Sequence, residues 1–319
     1  MIDDATWTSS DAEPGQHERE LLFRETPLET AERLALGLAW RCKPPRLAGV
    51  PQLLALHARE WFRPSPGLPD PEATLRRVPD VAGIARDLSV PTLVAVYSRG
   101  LHPLSHVLQP KWLSPPTRCL VFYRDFRVSK TQRAHIRKEI HRITFDCAFE
   151  RVIKACSARR GRRPHLTWIT PKIMRAFADL HDAGYAHSFE AWNASGDLVG
   201  GGYGVAVGGS FTLESMFCLE DNGSKVGFTF LNWHLAHWGF HFTDMWEPAP
   251  YKVALGGTSM PRADFLQRLA GAMEAPTRCG RWRVEADPIT VAKWKPVAKE
   301  ASTASMEDPS RARFRRAEA

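Results

Sequence analysis

The stretch at residues 186–218 reads AHSFEAWNASGDLVGGGYGVAVGGSFTLESMFC and decides the fold class. It contains three runs rich in β-branched and aromatic residues, AHSFEAW (186–192), LVGGGYGVAVGG (198–209) and SFTLESMFC (210–218), which are typical of strands. The polar residues 193–197 and the pair Gly208-Gly209 predict turns between them. The sequence therefore predicts an antiparallel meander. Its glycines do not form a phosphate-binding loop, because strands and not a helix N-terminus lie on both sides of them.

Helical and strand-like segments continue on both sides of this meander. Thr170 and Pro171 begin a helix that Gly184 ends. After the meander, the apolar segment 224–240 predicts a helix, HFTDMW (241–246) a strand, and residues 260–273 a last helix. This order predicts an α+β domain over residues 161–275, with a mixed, mostly antiparallel sheet flanked by helices.

The rest of the chain divides into four regions. Residues 1–20 are acidic and without periodicity, as expected for a disordered tail. Residues 21–85 contain helical apolar spacing followed by a Pro-rich linker at 64–80. Residues 86–160 predict a smaller α/β domain, with a strand at 118–126 and a basic helix that Ser129 caps. Residues 276–319 predict a polar, basic C-terminal tail.

Composition excludes several classes of protein. The 319 residues are 44% hydrophobic and 24% charged, which is typical of a soluble globular protein. No apolar run reaches the roughly 18 to 20 residues needed to cross a bilayer, and the acidic N-terminus is unlike a signal peptide. The six cysteines and the histidines show no metal-ligand spacing. We therefore expect a cytoplasmic protein with no metal site and no disulfide framework.

The net charge of +8 is concentrated in one segment. Residues 127–163 contain twelve Lys or Arg residues and three acidic residues. Such a segment attracts a polyanion through its long-range field and through counterion release. The alternative is a solvated helix face followed by a basic loop.

Eight short segments between Thr167 and Phe265 occur in a characteristic order. They are TWITP (167–171), LHDAGYAHSFEAW (180–192), LVGGGYGVAVGG (198–209), ESMF (214–217), SK (224–225), TD (243–244), LGG (255–257) and MPRADF (260–265). YSRGLHP (97–103) and WLSPPTR (112–118) precede them. Together, these segments resemble the leucyl/phenylalanyl-tRNA-protein transferases over about residues 90–270.

This resemblance implies an acetyltransferase-like (GNAT) fold for the C-terminal domain. It also implies an aminoacyltransferase that joins a hydrophobic amino acid from an aminoacyl-tRNA to the N-terminal Arg or Lys of an acceptor protein, which marks that protein for degradation by the N-end rule. Aminoacyl-tRNA is then the co-substrate, with no metal and no CoA, and we expect a monomer that does not bind membranes. The expected tRNA-binding residues lie on the basic helix and loop: Arg133, Arg137, Lys138, Arg159, Arg160, Arg162 and Arg163.

The resembled family handles the acceptor amine with an aspartate and a glutamine two residues further on. Asp244 matches the aspartate, but Trp246 stands at the glutamine position. An indole N–H only donates, so Trp246 has no lone pair to accept a proton from the amine. Strand alternation predicts that Asp244 and Trp246 share one face and that Glu247 points away. We expect Asp244 to lie at the mouth of a cavity; the alternative is a residue that caps the end of a strand.

Five other residues are candidate substrate contacts: Trp168, Tyr203, Phe211, Glu214 and Met216. The two aromatic residues Trp168 and Tyr203 would stack on a nucleotide base. Phe211 and Met216 would line a pocket, and Glu214 would orient either the substrate or a helix. Ordinary core packing is the alternative for the four apolar and aromatic side chains.

Departures from the family pattern leave two other functions open. Trp246, together with His102, Leu104 and Gly202 upstream and on the hairpin, would fit a tRNA-binding homologue with altered or lost activity. A CoA-dependent N-acyltransferase is the third hypothesis, but the sequence lacks a Gly-rich segment that opens a helix for the pyrophosphate.

Overall fold

The computed structural model describes residues 15–106, 108–159 and 166–296. Of the predicted disordered tail at 1–20, residues 1–14 lie outside the described residues. Residues 16–20 are helical, so the prediction is wrong for that part.

Helices make up much of the described chain. They are α1 (Gln16–Phe23), α2 (Pro27–Arg41), α3 (Pro44–Leu47), α4 (Val50–Phe62), α5 (Val90–Ser98), α6 (Lys130–Arg137), α7 (Phe149–Ser157), α8 (Pro171–Asp182), α9 (Gly223–His237), α10 (Pro250–Ala254), α11 (Arg262–Ala272) and α12 (Pro288–Lys293). The predicted caps hold: the Ser129 hydroxyl accepts a hydrogen bond from Gln132 N at 3.1 Å, and Thr170 caps α8 in the same way.

The strands form two sheets. They are β1 (Val81–Ile84), β2 (His102–Leu104), β3 (Lys111–Leu113), β4 (Thr117–Val121), β5 (Arg142–Phe145), β6 (Ala186–Trp192), β7 (Leu198–Val207), β8 (Ser210–Cys218), β9 (Phe242–Asp244) and β10 (Thr258–Pro261). The smaller sheet has the order β1-β3-β2 and the larger one β10-β4-β9-β8-β7-β6-β5.

The predicted meander is confirmed. Strands β6, β7 and β8 pair antiparallel, with Ser188 opposite Tyr203 and Gly202 opposite Met216. Strand β9 runs parallel to β8, so the large sheet is mixed and mostly antiparallel, as predicted. The fold is therefore α+β.

The two faces of the large sheet bury separate hydrophobic clusters. Helices α5, α7 and α8 pack on one cluster, which includes Phe177 and Tyr203. Helix α9 packs on the other cluster, which includes Phe189 and Phe211. Apolar side chains on both faces explain why most residues of β6 to β8 are buried.

The sheet differs from the prediction at its edges. Strand β4 ends at Val121 and a 3-10 helix follows at Tyr123–Asp125, so the strand predicted at 118–126 is too long. Strands β4 and β5 belong to the large sheet although they precede residue 161. The sheet therefore crosses the predicted domain boundary near residue 160. Strand β10 and the three-stranded sheet were not predicted.

The C-terminal segment packs on the domain as far as the structure describes it. Trp282 is 2% exposed and its ring stacks on His187, and α12 packs against α6. Residues 276–296 are therefore part of the fold and not a tail, while 297–319 lie outside the described residues. No helix among the residues described is both long and apolar enough to cross a lipid bilayer.

Candidate functional site

Two cavities meet between the end of β9, strand β8 and the segment that precedes α8. The first, here called the basic cavity, has a volume of about 470 Å³, and Arg41, Arg46, Arg77 and Lys111 contribute to its lining. The second, here called the methionine cavity, has a volume of about 500 Å³ and a lining that includes Met216 and Met245. Both cavities share three lining residues, which are Trp168, Glu214 and Trp246.

Glu214 lies at this junction with one carboxyl oxygen bonded and the other free. Its Oε1 accepts a hydrogen bond from the Tyr97 hydroxyl at 2.7 Å, and its Oε2 has no hydrogen-bond partner among the described residues. Burial raises the pKa of Glu214 well above its ordinary value; the nearby charge of Asp244 raises it further, while Tyr97 and Arg118 oppose the rise. Burial therefore favours the protonated form of Glu214, and its Oε2 is a covered polar atom whose hydrogen bond is not satisfied by the described residues.

Asp244 ends β9 and forms a buried ion pair. Both of its carboxylate oxygens accept hydrogen bonds from the Arg118 guanidinium, one of them at 3.3 Å from Nε. The Trp246 backbone N–H also donates to it, at 3.0 Å, and the Asp244 side chain is 1% exposed. The expectation that Asp244 lies at the mouth of a cavity is wrong, because its neighbours Met245 and Trp246 line the cavities instead.

The Arg118 guanidinium also has one backbone partner and two aromatic neighbours. Its Nη1 donates to the Gly100 carbonyl at 2.9 Å, and its guanidinium lies over the rings of Phe265 at 4.0 Å and Trp246 at 4.8 Å. These contacts compensate the cation after it leaves water, so the ion pair with Asp244 is well satisfied.

Trp246 follows the end of the strand in a left-handed backbone conformation, with φ of 65°. Lys252 fixes this turn, because its Nζ donates to the carbonyls of Met245 and Glu247, the latter at 2.7 Å. The predicted alternation of Asp244, Trp246 and Glu247 is therefore wrong: both Trp246 and Glu247 line the basic cavity, while Asp244 is covered.

The other predicted substrate contacts separate into two groups. Trp168 and Met216 line the cavities as proposed. Tyr203 is fully buried between Phe149 and Phe177, with ring centroids at 5.8 and 5.5 Å, so it cannot stack on a base. Phe211 is also fully buried, in the core cluster beneath α9, and lines neither cavity. For these two residues the core alternative is correct.

The predicted tRNA-binding residues lie on two separate elements. On α6 and just after it, Arg137 and Lys138 are exposed, whereas Arg133 donates to the Ala292 carbonyl at 2.6 Å and is half-buried. Arg159 forms an ion pair with Glu32 at 2.5 Å. The remaining loop residues Arg160, Arg162 and Arg163 lie outside the described residues.

Sequence reasoning missed four groups of the site. Arg118 and Tyr97 lie inside the quoted segments WLSPPTR and YSRGLHP, so the motif order already contained a signal for them. No sequence segment that we quoted indicated Lys252 or the cations of the basic cavity. Among residues 15–106, 108–159 and 166–296, no group of three His, Cys, Asp or Glu side chains could hold a metal ion.

Comparison with known proteins gives consistent matches. The family described as leucyl/phenylalanyl-tRNA protein transferase matches residues 120–270. A protein named leucyl/phenylalanyl-tRNA-protein transferase from Desulforapulum autotrophicum is 37% identical over 222 residues, which are 69% of this chain and 96% of that protein. One of the same name from Azotobacter vinelandii is 38% identical over 67% of this chain and 95% of that protein.

These relatives are all named as transferases, and the chain belongs to the same class of protein. The chain belongs to the leucyl/phenylalanyl-tRNA-protein transferase family. Among solved structures, L-PGS from Bacillus licheniformis matches with a TM-score of 0.28 and 12% identity, over 46% of this chain and 45% of that one. A similarity this low assigns no fold.

Proposed function

We propose that this protein transfers a hydrophobic amino acid from an aminoacyl-tRNA to the N-terminus of an acceptor protein. Family membership supports the reaction class. The observation that carries the proposal is the position of Glu214, which lines both the basic cavity and the largely apolar methionine cavity and has one carboxyl oxygen without a hydrogen-bond partner among the described residues. A donor that combines an RNA end with an apolar side chain needs two such compartments, and its ester bond would lie between them.

The methionine cavity suits the amino-acid side chain of the donor. Ile169, Leu213, Met216 and Met245 contribute apolar surface, and methionine side chains adapt to ligands of different shape. The ester carbonyl would then lie beside Glu214. In its protonated form, Glu214 donates a hydrogen bond to the carbonyl oxygen and stabilises the negative charge that develops there during attack.

The chemistry requires little beyond this arrangement. The acceptor's α-amino nitrogen attacks the ester carbonyl carbon, a C–N bond forms, and the C–O bond to the ribose breaks. The proton lost by the amine ends on the released ribose oxygen. Because the ester is already activated, positioning and oxyanion stabilisation account for most of the rate, and we infer that the reaction uses no metal and no CoA.

We assign Asp244 a positioning role. Its carboxylate is covered and bonded to Arg118, so it does not reach a substrate in this arrangement. Through the Trp246 N–H it fixes the turn that carries the Trp246 ring to the junction of the cavities. We also propose that the large sheet is of the acetyltransferase-like type, which its mixed strand order and the parallel pair of β8 and β9 support.

A transfer assay tests this function. The full chain is incubated with tRNA that carries radiolabelled Leu, Phe or Met and with a peptide that begins with Arg. Label that has moved to the peptide, and is therefore no longer released by RNase, is then measured. We expect transfer with at least one donor and none with a peptide whose N-terminus is acetylated. Label that stays RNase-sensitive with every donor refutes the proposal.

Trp246 favours one second candidate, a homologue that binds tRNA without transferring its amino acid. The Trp246 ring contacts His102, and Trp246 lines both cavities, where it would obstruct the acceptor amine under this alternative. Under this alternative the wild type binds aminoacyl-tRNA but yields no peptide product, whereas Trp246→Gln creates activity. Transfer by the wild type rules it out.

A further inference from the structure

The N-terminal helices contribute three side chains to the basic cavity. Trp40 and Arg41 are at the end of α2, and Arg46 is on α3. The Arg46 guanidinium lies 3.8 Å from the centre of the Trp40 ring, and that of Arg41 lies 5.1 Å from it. Trp40 therefore holds two cations side by side at the wall of one cavity.

Two more cations face the same space from other elements. Lys111, on β3, is 6% exposed, and burial together with the charge of Arg41 lowers its pKa to about 8. Arg77, within the Pro-rich stretch at 64–80, also lines the cavity. Like charges brought together at the margin of a low-dielectric cavity repel each other, and this costs stability unless an anion compensates them.

The acidic residues of the cavity do not balance these cations. Asp80 and Glu247 line it beside the four cations, and burial favours the uncharged form of the third acid, Glu214. Within the described ranges, neither Arg41, Arg46 nor Arg77 forms an ion pair shorter than 4.0 Å. Although Asp80 interacts electrostatically with Arg41 and Arg46, the described lining has more cations than acids and would attract an anion from outside.

The aromatic walls indicate which anion. Three tryptophans line the cavity: Trp40, Trp168 and Trp246. Cations interleaved with aromatic rings are the usual combination in sites for single-stranded nucleic acid, where phosphates meet the cations and bases lie against the rings. A carboxylate ligand would use the cations but not the rings.

We propose that α2 and α3 complete a binding site for phosphates of the single-stranded 3′ end of the donor RNA, with Arg41 and Arg46 as the phosphate-binding side chains and Trp40 as the residue that positions them. This inference rests on the proposed function for the identity of the RNA. It extends the substrate site beyond the large sheet, to a segment that sequence analysis treated as a helical extension of unassigned role.

Direct binding tests the site independently of transfer. The dissociation constant of deacylated tRNA is measured against salt for the wild type and for Arg41→Ala/Arg46→Ala, using intact tRNA and tRNA that lacks its 3′-terminal CCA. We expect the double variant to bind intact tRNA on the order of tenfold to a hundredfold more weakly, and the slope of log K against log salt to fall in magnitude by roughly 1.4, since each phosphate contact on a single strand contributes about 0.7. The truncated tRNA should show no difference between the two proteins.

Matched variants separate a local effect from a general one. Arg63→Ala removes an exposed arginine at the end of α4, outside the cavity lining, and should leave both affinities unchanged. Arg77→Ala changes a different element and should repeat the loss for intact tRNA, which guards against misfolding of α2 and α3. An equal loss with truncated tRNA, or no loss with intact tRNA, overturns the proposal.

Transfer kinetics give a second test. The double variant should raise KM for aminoacyl-tRNA and leave KM unchanged for an aminoacyl-adenosine donor, which has no phosphate. A raised KM for the acceptor peptide with an unchanged KM for aminoacyl-tRNA would instead assign the cations to an acidic acceptor and refute the RNA site. A wild type that transfers from no donor refutes the proposed function, while the binding experiment still decides the phosphate site.

Discussion

The ion pair between Arg118 and Asp244 predicts a strong coupling free energy. Both side chains are 1% exposed, so removal of either partner leaves the other charge buried and uncompensated. Breaking a buried pair costs about 3 to 5 kcal/mol. The loss of unfolding free energy for Asp244→Asn should lie near the lower limit, about 3 kcal/mol, because Arg118 keeps its contacts with the Gly100 carbonyl and with the faces of two rings. Arg118→Met should lie near 5 kcal/mol, because Asp244 keeps only the Trp246 N–H.

The double variant Arg118→Met/Asp244→Asn has no buried charge at this site. Its loss of stability should therefore fall short of the sum of the single losses by at least about 3 kcal/mol. Urea unfolding of the four proteins at pH 7 measures this coupling. Arg175→Met provides the control, since its ion pair with Glu20 is about half exposed and should contribute less than roughly 1 kcal/mol. Additive losses for the buried pair would refute the reasoning.

Three further outcomes follow from buried groups. Because burial raises the pKa of Glu214 and the proposed donor is its protonated form, kcat/KM should fall as the pH rises through that raised pKa, and Glu214→Gln should remove the fall. The same pH profile in both proteins would contradict the assignment. Burial raises the pKa of Glu190 to about 7, so the folded protein holds a proton that the unfolded chain releases, and stability should decline between about pH 4.5 and 7. Glu190→Gln should abolish that decline, which amounts to roughly 3 kcal/mol in the free energy of unfolding. Urea unfolding of both proteins at pH 5 and at pH 8 measures it. Trp282→Ala should cost roughly 3 to 5 kcal/mol in thermal unfolding and make residues 279–296 more sensitive to proteases; equal cleavage would show that the ring does not anchor them.

Local patterns in the sequence were sufficient for the centre of the fold. The meander of β6, β7 and β8 follows from strand-length apolar runs separated by turn residues, and Thr170 with Pro171 fixes the start of α8. The three-stranded sheet was not predicted because β2 and β3 have three residues each, too few to show a period. That β4 lies between β10 and β9 is a matter of tertiary pairing, which no local pattern contains.

The site was predicted in part, and its failures have a physical cause. Glu214, Trp168 and Met216 were predicted as substrate contacts, and all three line the cavities. The expected exposure of Asp244 was wrong because its partner Arg118 lies 126 residues away in the chain, and a residue's burial depends on such distant partners. The side chain of Trp246 could not be placed either, since strand alternation no longer applies once the backbone enters the left-handed region.

The two buried carboxyl groups of the site have different surroundings, and the difference agrees with their proposed roles. Burial raises the pKa of Glu214, and the nearby charge of Asp244 raises it further. The buried Arg118 guanidinium contacts Asp244 directly, whereas the only side-chain hydrogen bond to Glu214 among the described residues comes from Tyr97. Glu214 is therefore the proposed donor to the reacting carbonyl, and Asp244 is the group that holds the turn. One family substitution is then easier to understand: if Glu214 serves the reacting carbonyl and Asp244 serves the turn, the side chain at position 246 need not accept a proton, and a tryptophan there is compatible with transfer.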